Sequence, residues 1–186
     1  MAAINKDYFK IYPGTPWGRN KNVSVHHSDF RIEVARNQAT KPIVSVERIF
    51  CLVNEALRVN GCIECPSLND AKLRLTDQKI DYEAIKEKYG LDNDCDIIWI
   101  KFTTDGHVGV VAKSSDINHD YDRTSGIIIQ ALKKEWDKSF VLLFPLKKCN
   151  KDESLSEKEK GLLERYVGNH LIGCGVPILD FYSHNY

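Results

Sequence analysis

Apolar residues follow two periods along this chain. Between residues 95 and 113 two apolar runs, Ile97 to Phe102 and Val108 to Ala112, flank Asp105-Gly106. Few charges interrupt them, as expected of buried strands, and Asp-Gly supplies the positive φ angles of a tight primed turn. The stretch therefore predicts a β-hairpin with His107 as the first residue of the return strand. From Ser45 the period becomes helical: Val46, Ile49, Phe50, Val53 and Leu57 share one stripe, and Asn60-Gly61 is the stop. Ser45 is a reasonable N-cap, although an extended chain persisting to about Ile49 fits the same residues.

The other segments follow from the same rules. Two prolines with several Gly and Asn around Trp17 make residues 1–22 an irregular arm. Val23/Val25 and Phe30/Ile32/Val34 alternate as two short strands. Leu68 to Leu75 fits either period. Asp81 caps a short helix whose Tyr82, Ile85 and Tyr89 share a face and which Gly90 ends. Ser114 to Ser125 is a polar loop, Gly126 to Leu132 an apolar run, and Lys133 to Lys138 a polar connection around Trp136. Phe140 to Leu146 is a strand that Pro145 places near an edge or an end. Ser156 and Glu159 form a capping box for a helix marked by Leu162, Leu163, Tyr166, Val167 and His170, which stops at Gly173. Pro177 opens a final extended segment. Strands gathered in the middle, with helices on either side, define an α+β chain.

Composition narrows the partners. At 186 residues, 42% hydrophobic and 28% charged, the chain suits one buried core, read as a single domain over 1–186. Its 26 basic and 26 acidic residues balance, so no whole-protein field draws it to nucleic acid or a membrane. There is no basic-then-apolar leader and no run long enough to span a bilayer, and the six cysteines are mostly scattered. These features predict a cytoplasmic protein with free thiols.

Several constellations bear on chemistry. Cys62-x-x-Cys65 has the spacing of half a zinc or redox site, with no second pair; Cys95 with a histidine could complete a zinc site, and a plain turn is the commoner reading. Asp116, Asn118, Asp120 and Asp122 alternate as in a calcium loop, but Tyr121 stands where the tight glycine belongs and Ile127 where the bidentate carboxylate belongs. Neither is carried forward, and no cofactor is expected. Trp17-Gly18-Arg19-Asn20-Lys21 reads as a packed arm instead of a nucleic-acid contact. A nucleophilic set remains: Cys51 as thiol, His107 as general base and His119, twelve positions further on, as the group that orients it.

The order and spacing of that set resemble the NlpC-type cell-wall peptidases of the papain-like superfamily, with the related CHAP amidases behind them. Matching elements are Cys51 before Leu52 to Asn60, the turn at Gly61, Asp96-Ile97-Ile98-Trp99, and His107-Val108-Gly109-Val110-Val111. His119 follows, and Gly126-Ile127-Ile128-Ile129, Trp136 and Phe140-Val141 stand as closing strands, so the resemblance covers roughly residues 46–146. The family's Asp-Cys-Ser-Gly reads Phe50-Cys51-Leu52-Val53 here, and the glycine before Asp96 is Cys95.

The resemblance implies a papain-like antiparallel sheet with helices packed against it, and residues 150–186 add a C-terminal helix and tail. It implies a cysteine hydrolase or acyltransferase acting on a peptide or amide-containing substrate through an acyl-thioenzyme. The alternative is a non-enzymatic binding or regulatory protein that self-associates through aromatic-rich ends, Tyr8/Phe9/Tyr12/Trp17 and Phe181/Tyr182/Tyr186.

Overall fold

A computed structural model gives the fold, and the structure describes residues 31–75, 82–93, 96–113, 117, 124–150 and 153–180. The N-terminal arm, the strand expected at Val23/Val25, Asp81, Cys95, His119, the acidic positions Asp116 to Asp122 and the last six residues lie outside these. The described chain is α+β. Its elements are α1 (31–38), α2 (Val46–Val59), α3 (Leu68–Ala71), β1 (Lys72–Arg74), α4 (Tyr82–Tyr89), β2 (Ile97–Phe102), β3 (Val108–Ala112), α5 (Thr124–Ala131), β4 (Phe140–Pro145) and α6 (Glu157–Gly173). The strands make a four-stranded antiparallel sheet in the order β1-β4-β2-β3.

β2 runs between β4 and β3, and all its residues are buried. Alternate side chains leave a strand on opposite faces. Ile98, Ile100 and Phe102 join Leu142 and Phe144 of β4 in a core shared with α2 and α6. Ile97 and Trp99 turn the other way, joining Val110, Val141 and Leu143 with Trp136 and with Ile129 of α5. A sheet covered on both faces needs near-continuous apolar strands, which is why the 97–102 run carries so little charge.

The hairpin forms as predicted, but its turn is not a primed one. Gly106 has φ +90°, and among the described non-glycine residues only Lys133 has a positive φ, so Asp105 does not. The Gly106 N–H donates to Thr103 O at 2.8 Å and the Thr103 N–H to His107 O at 2.9 Å. The result is a three-residue loop with glycine in the left-handed position, followed by a register shift between Lys101 and Phe102.

The helix starting after Ser45 is also observed. The Ser45 hydroxyl accepts from the Arg48 N–H, and Ile49, Leu52, Val53, Ala56 and Leu57 form the buried stripe. α6 starts with the capping box: the Ser156 hydroxyl accepts from the Glu159 N–H, and the Glu159 carboxylate accepts from the Ser156 N–H. Its Leu163, Val167 and Leu171 pack on the α2 side of the sheet. Lys160 is 4% exposed, and its ammonium contacts the Asp96 carboxylate at the foot of β2 and lies 2.8 Å from Glu157 Oε1. Burial alone would lower the Lys160 pKa, but the two carboxylates outweigh it and hold the value above the ordinary lysine range. Among the described residues no helix is long and apolar enough to cross a membrane.

Two sequence expectations are corrected. The strand read from Phe30, Ile32 and Val34 falls, from residue 31 on, in helix α1, where Arg31, Ala35 and Gln38 are the buried positions at helical spacing. Arg31 is buried because its guanidinium pairs with Asp180, to which Nε donates at 3.1 Å. The run Gly126 to Leu132, expected among the closing strands, forms helix α5, with Ile128 and Ile129 buried and Ile127 half exposed. Leu68 to Leu75 splits into α3 and β1. Pro145 closes β4, which lies inside the sheet between β1 and β2. The segment after Pro177 runs beside β3: Ile178 bridges Val108 in parallel, and the Leu179 and Asp180 N–H groups donate to Val108 and Gly109 carbonyls at 2.9 and 2.8 Å.

Candidate functional site: a groove along α6

The three sequence candidates occupy different environments. Cys51 is exposed in the second turn of α2. At about 100° per residue it lies on the side of the helix roughly opposite the buried stripe. A thiol there is beyond the first-turn N–H groups, where the helix field favours an anion. His107 is 6% exposed at the start of β3. No hydrogen bond or ion pair joins it to Cys51, and His119 is not among the described residues.

The partner of His107 is Asp105, whose Oδ2 lies 3.3 Å from Nδ1 without hydrogen-bond alignment, while Nε2 is buried and unpartnered. Asp105 itself is heavily engaged, taking hydrogen bonds from the Thr103 hydroxyl at 2.6 Å and from the Lys134 ammonium. Partial burial would raise its pKa. The bonds from Lys134 and Thr103, with His107 beside them, hold it well below the usual carboxylate range instead. Asp96, at the foot of β2, serves as counter-ion to Lys160.

Cys62 and Cys65 are both buried, and burial pushes both thiols above the ordinary range. Cys65 is held by the buried Asn54 amide: Asn54 Nδ2 donates to Cys65 O and the Cys65 N–H donates to Asn54 Oδ1, each at 2.9 Å. This pair of bonds satisfies a polar side chain in the middle of α2 and pins the turn that follows it. Among the described residues no group of three or more His, Cys, Asp or Glu side chains could hold a metal ion.

The concavity that stands out lies elsewhere. An open groove of about 790 Å³ runs along α6, within the size range of ligand pockets. Glu159, Leu162, Leu163, Tyr166, His170, Gly173 and Cys174 line it from α6, and their spacing of three and four residues puts them on one face of the helix. Leu155, Lys148 and Asn60 form its other wall. Leu162 and Tyr166 are 51% and 40% exposed, unusual for large apolar residues on a helix whose opposite side is packed.

The polar groups collect around this apolar floor. Lys148 Nζ lies 3.7 Å from Glu159 Oε1, so that pair largely offsets itself, and the Arg165 guanidinium is a further cation on the lining. At the far end the Tyr166 ring stacks on His170 with centroids 6.2 Å apart and planes 7° from parallel. His170 Nε2 is 3.9 Å from the Cys174 sulfur and 3.7 Å from Glu55 Oε2. The sequence marked His170 only as part of a helical stripe, yet His170-x-x-x-Cys174 at the end of a capped helix already places imidazole and thiol on one face. The groove itself was not legible, because Asn60, Lys148 and Leu155 reach it only through tertiary folding.

Comparison with known proteins finds no matching family model, no matching curated protein and no matching solved structure.

Proposed function

We propose that this α+β domain is a binding module whose working surface is the groove along α6, and that its ligand is a small amphiphile with an apolar body and an anionic head. The observation that carries this reading is the groove, with Leu155, Leu162 and Tyr166 as its apolar lining and Arg165 as a cation beside it. Burying an apolar chain supplies the affinity, about 0.8 kcal/mol for each methylene removed from water. Arg165 supplies the preference for a carboxylate, sulfonate or phosphate.

Titration with anilinonaphthalene sulfonate, followed by displacement with dodecanoate, tests the reading. Saturable dye binding reversed by dodecanoate is expected. Leu162→Asp is expected to weaken it at least roughly tenfold, as a charge on the floor must be desolvated. Because Leu162 is half exposed, the fold should tolerate this change. Arg165→Glu should shift preference from dodecanoate toward dodecylamine. Dye binding indifferent to both substitutions would overturn the proposal.

A second reading is the cysteine hydrolase or acyltransferase with Cys51 as nucleophile, His107 as base and His119 as the orienting residue. It draws support from the Asp105 carboxylate beside His107 Nδ1, the kind of neighbour that orients an imidazole. That reading expects iodoacetamide to modify Cys51 ahead of the other exposed thiols at mildly acidic pH, with the selectivity lost in His107→Ala. Peptide mapping that finds Cys51 no faster than Cys149 counts against it.

A further inference from the structure

We infer that Cys174 is an acyl-accepting thiol: the groove along α6 presents a long-chain acyl thioester to the Cys174 sulfur, and His170 takes its proton. This rests on the groove being a ligand site, and it adds the substrate class and a covalent outcome.

The geometry supplies each part. About 22 Å of helix separates Glu159 from Cys174, enough to lay an extended chain over Leu162 and Tyr166 with its reactive end at the thiol. Cys174 is exposed, and its sulfur is 3.9 Å from His170 Nε2, within reach for a proton to pass along a weak S–H···N contact. Stacking on Tyr166 fixes the plane of the imidazole. The carboxylate of Glu55 lies 3.7 Å from His170 Nε2, where it faces the imidazolium that the proton transfer forms. The neutral ring must carry its proton on Nδ1, leaving Nε2 free to accept.

In the reaction, the Cys174 S–H proton moves to His170 Nε2 and the sulfur attacks the thioester carbonyl. The bond from that carbonyl to the original sulfur breaks. The departing thiolate recovers the proton from His170, leaving S-acyl Cys174 and a free thiol. One thioester replaces another, so no oxidant, reductant or energy source is required.

Cys51 and Cys149 are also free and exposed, and they serve as internal controls within the same molecule. The full chain is incubated with dodecanoyl-coenzyme A, and each cysteine is mapped by mass spectrometry as a hydroxylamine-labile adduct. Cys174 is expected to be acylated roughly tenfold or more faster than Cys51 or Cys149. Cys174→Ser should remove that adduct. His170→Ala should slow acylation at neutral pH, with the deficit shrinking as rising pH forms thiolate unaided, a dependence that a purely structural role would not produce. Equal acylation of the three thiols would overturn the inference. If dodecanoate still displaces the dye but Cys174 is not labelled, the inference fails and the binding reading stands. Loss of both signals removes both.

Discussion

Gly109→Ala is expected to destabilise the protein by about 3 kcal/mol or more, seen as a large fall in the midpoint of thermal or urea unfolding. Gly109 lies on β3, and a Cβ built there would overlap Cζ3 of Trp136 and come within 2.8 Å of Cη2. The indole has little room to retreat. Trp136 is 3% exposed, packs among Trp99, Val110 and Leu143, and is tied through its backbone to Thr103. Interiors are close-packed, so the added methyl must displace either the ring or the strand. The two residues should therefore couple: Trp136→Leu in the Gly109→Ala background is expected to lose less stability than the sum of the single changes. Gly161→Ala is the contrast. Its Cβ would meet nothing within 4 Å, and an alanine inside α6 should stabilise the protein by about 0.5–1 kcal/mol.

Lys160→Met is expected to cost about 1–3 kcal/mol, because it removes one half of a largely buried ion pair and leaves the Asp96 carboxylate without its counter-ion. Asp96→Asn combined with Lys160→Met should recover much of that loss, since no bare charge then remains buried. Chemical denaturation of the two single variants and the double variant measures the coupling. The same pair fixes a pH dependence. The pKa of Lys160 is raised in the folded state, so its contribution is complete below the unfolded lysine value and disappears as pH rises through the folded one. The wild type should therefore lose this increment only above the ordinary lysine range, and Lys160→Met should lack that alkaline phase.

Much of the architecture was legible wherever local chemistry decides structure. Ser45, Gly90 and the Ser156/Glu159 box marked helix ends because caps act on the nearest backbone groups, and Asp105-Gly106 located the hairpin. The turn geometry was misread because only Gly106 takes the positive φ. Ile127-Ile128-Ile129 was misread because a short, continuous apolar run fits a buried strand and a buried helix alike. The alternation of Ile32 and Val34 misled because the deciding contact is the ion pair of Arg31 with Asp180, 149 positions away. Distance along the chain also hid the working surface. Thiol and imidazole at positions 174 and 170 follow from helical spacing, but the groove that gives them a use needs walls from α2's end and from the chain after β4. Asp96, read from the sequence only as the start of a strand, is occupied with neutralising a lysine that lies far along the chain.

The strip of chain that lies beside β3 bears on how copies of this protein can associate. Its hydrogen bonds to Val108 and Gly109 occupy backbone acceptors that a flanking strand from another molecule would need, and at the opposite border β1 is only three residues long. Exposed strand borders are templates for runaway pairing between molecules, and a blocked border joined with a very short one removes that opportunity. A sheet bordered in this way offers another chain little continuous backbone on which to add a strand.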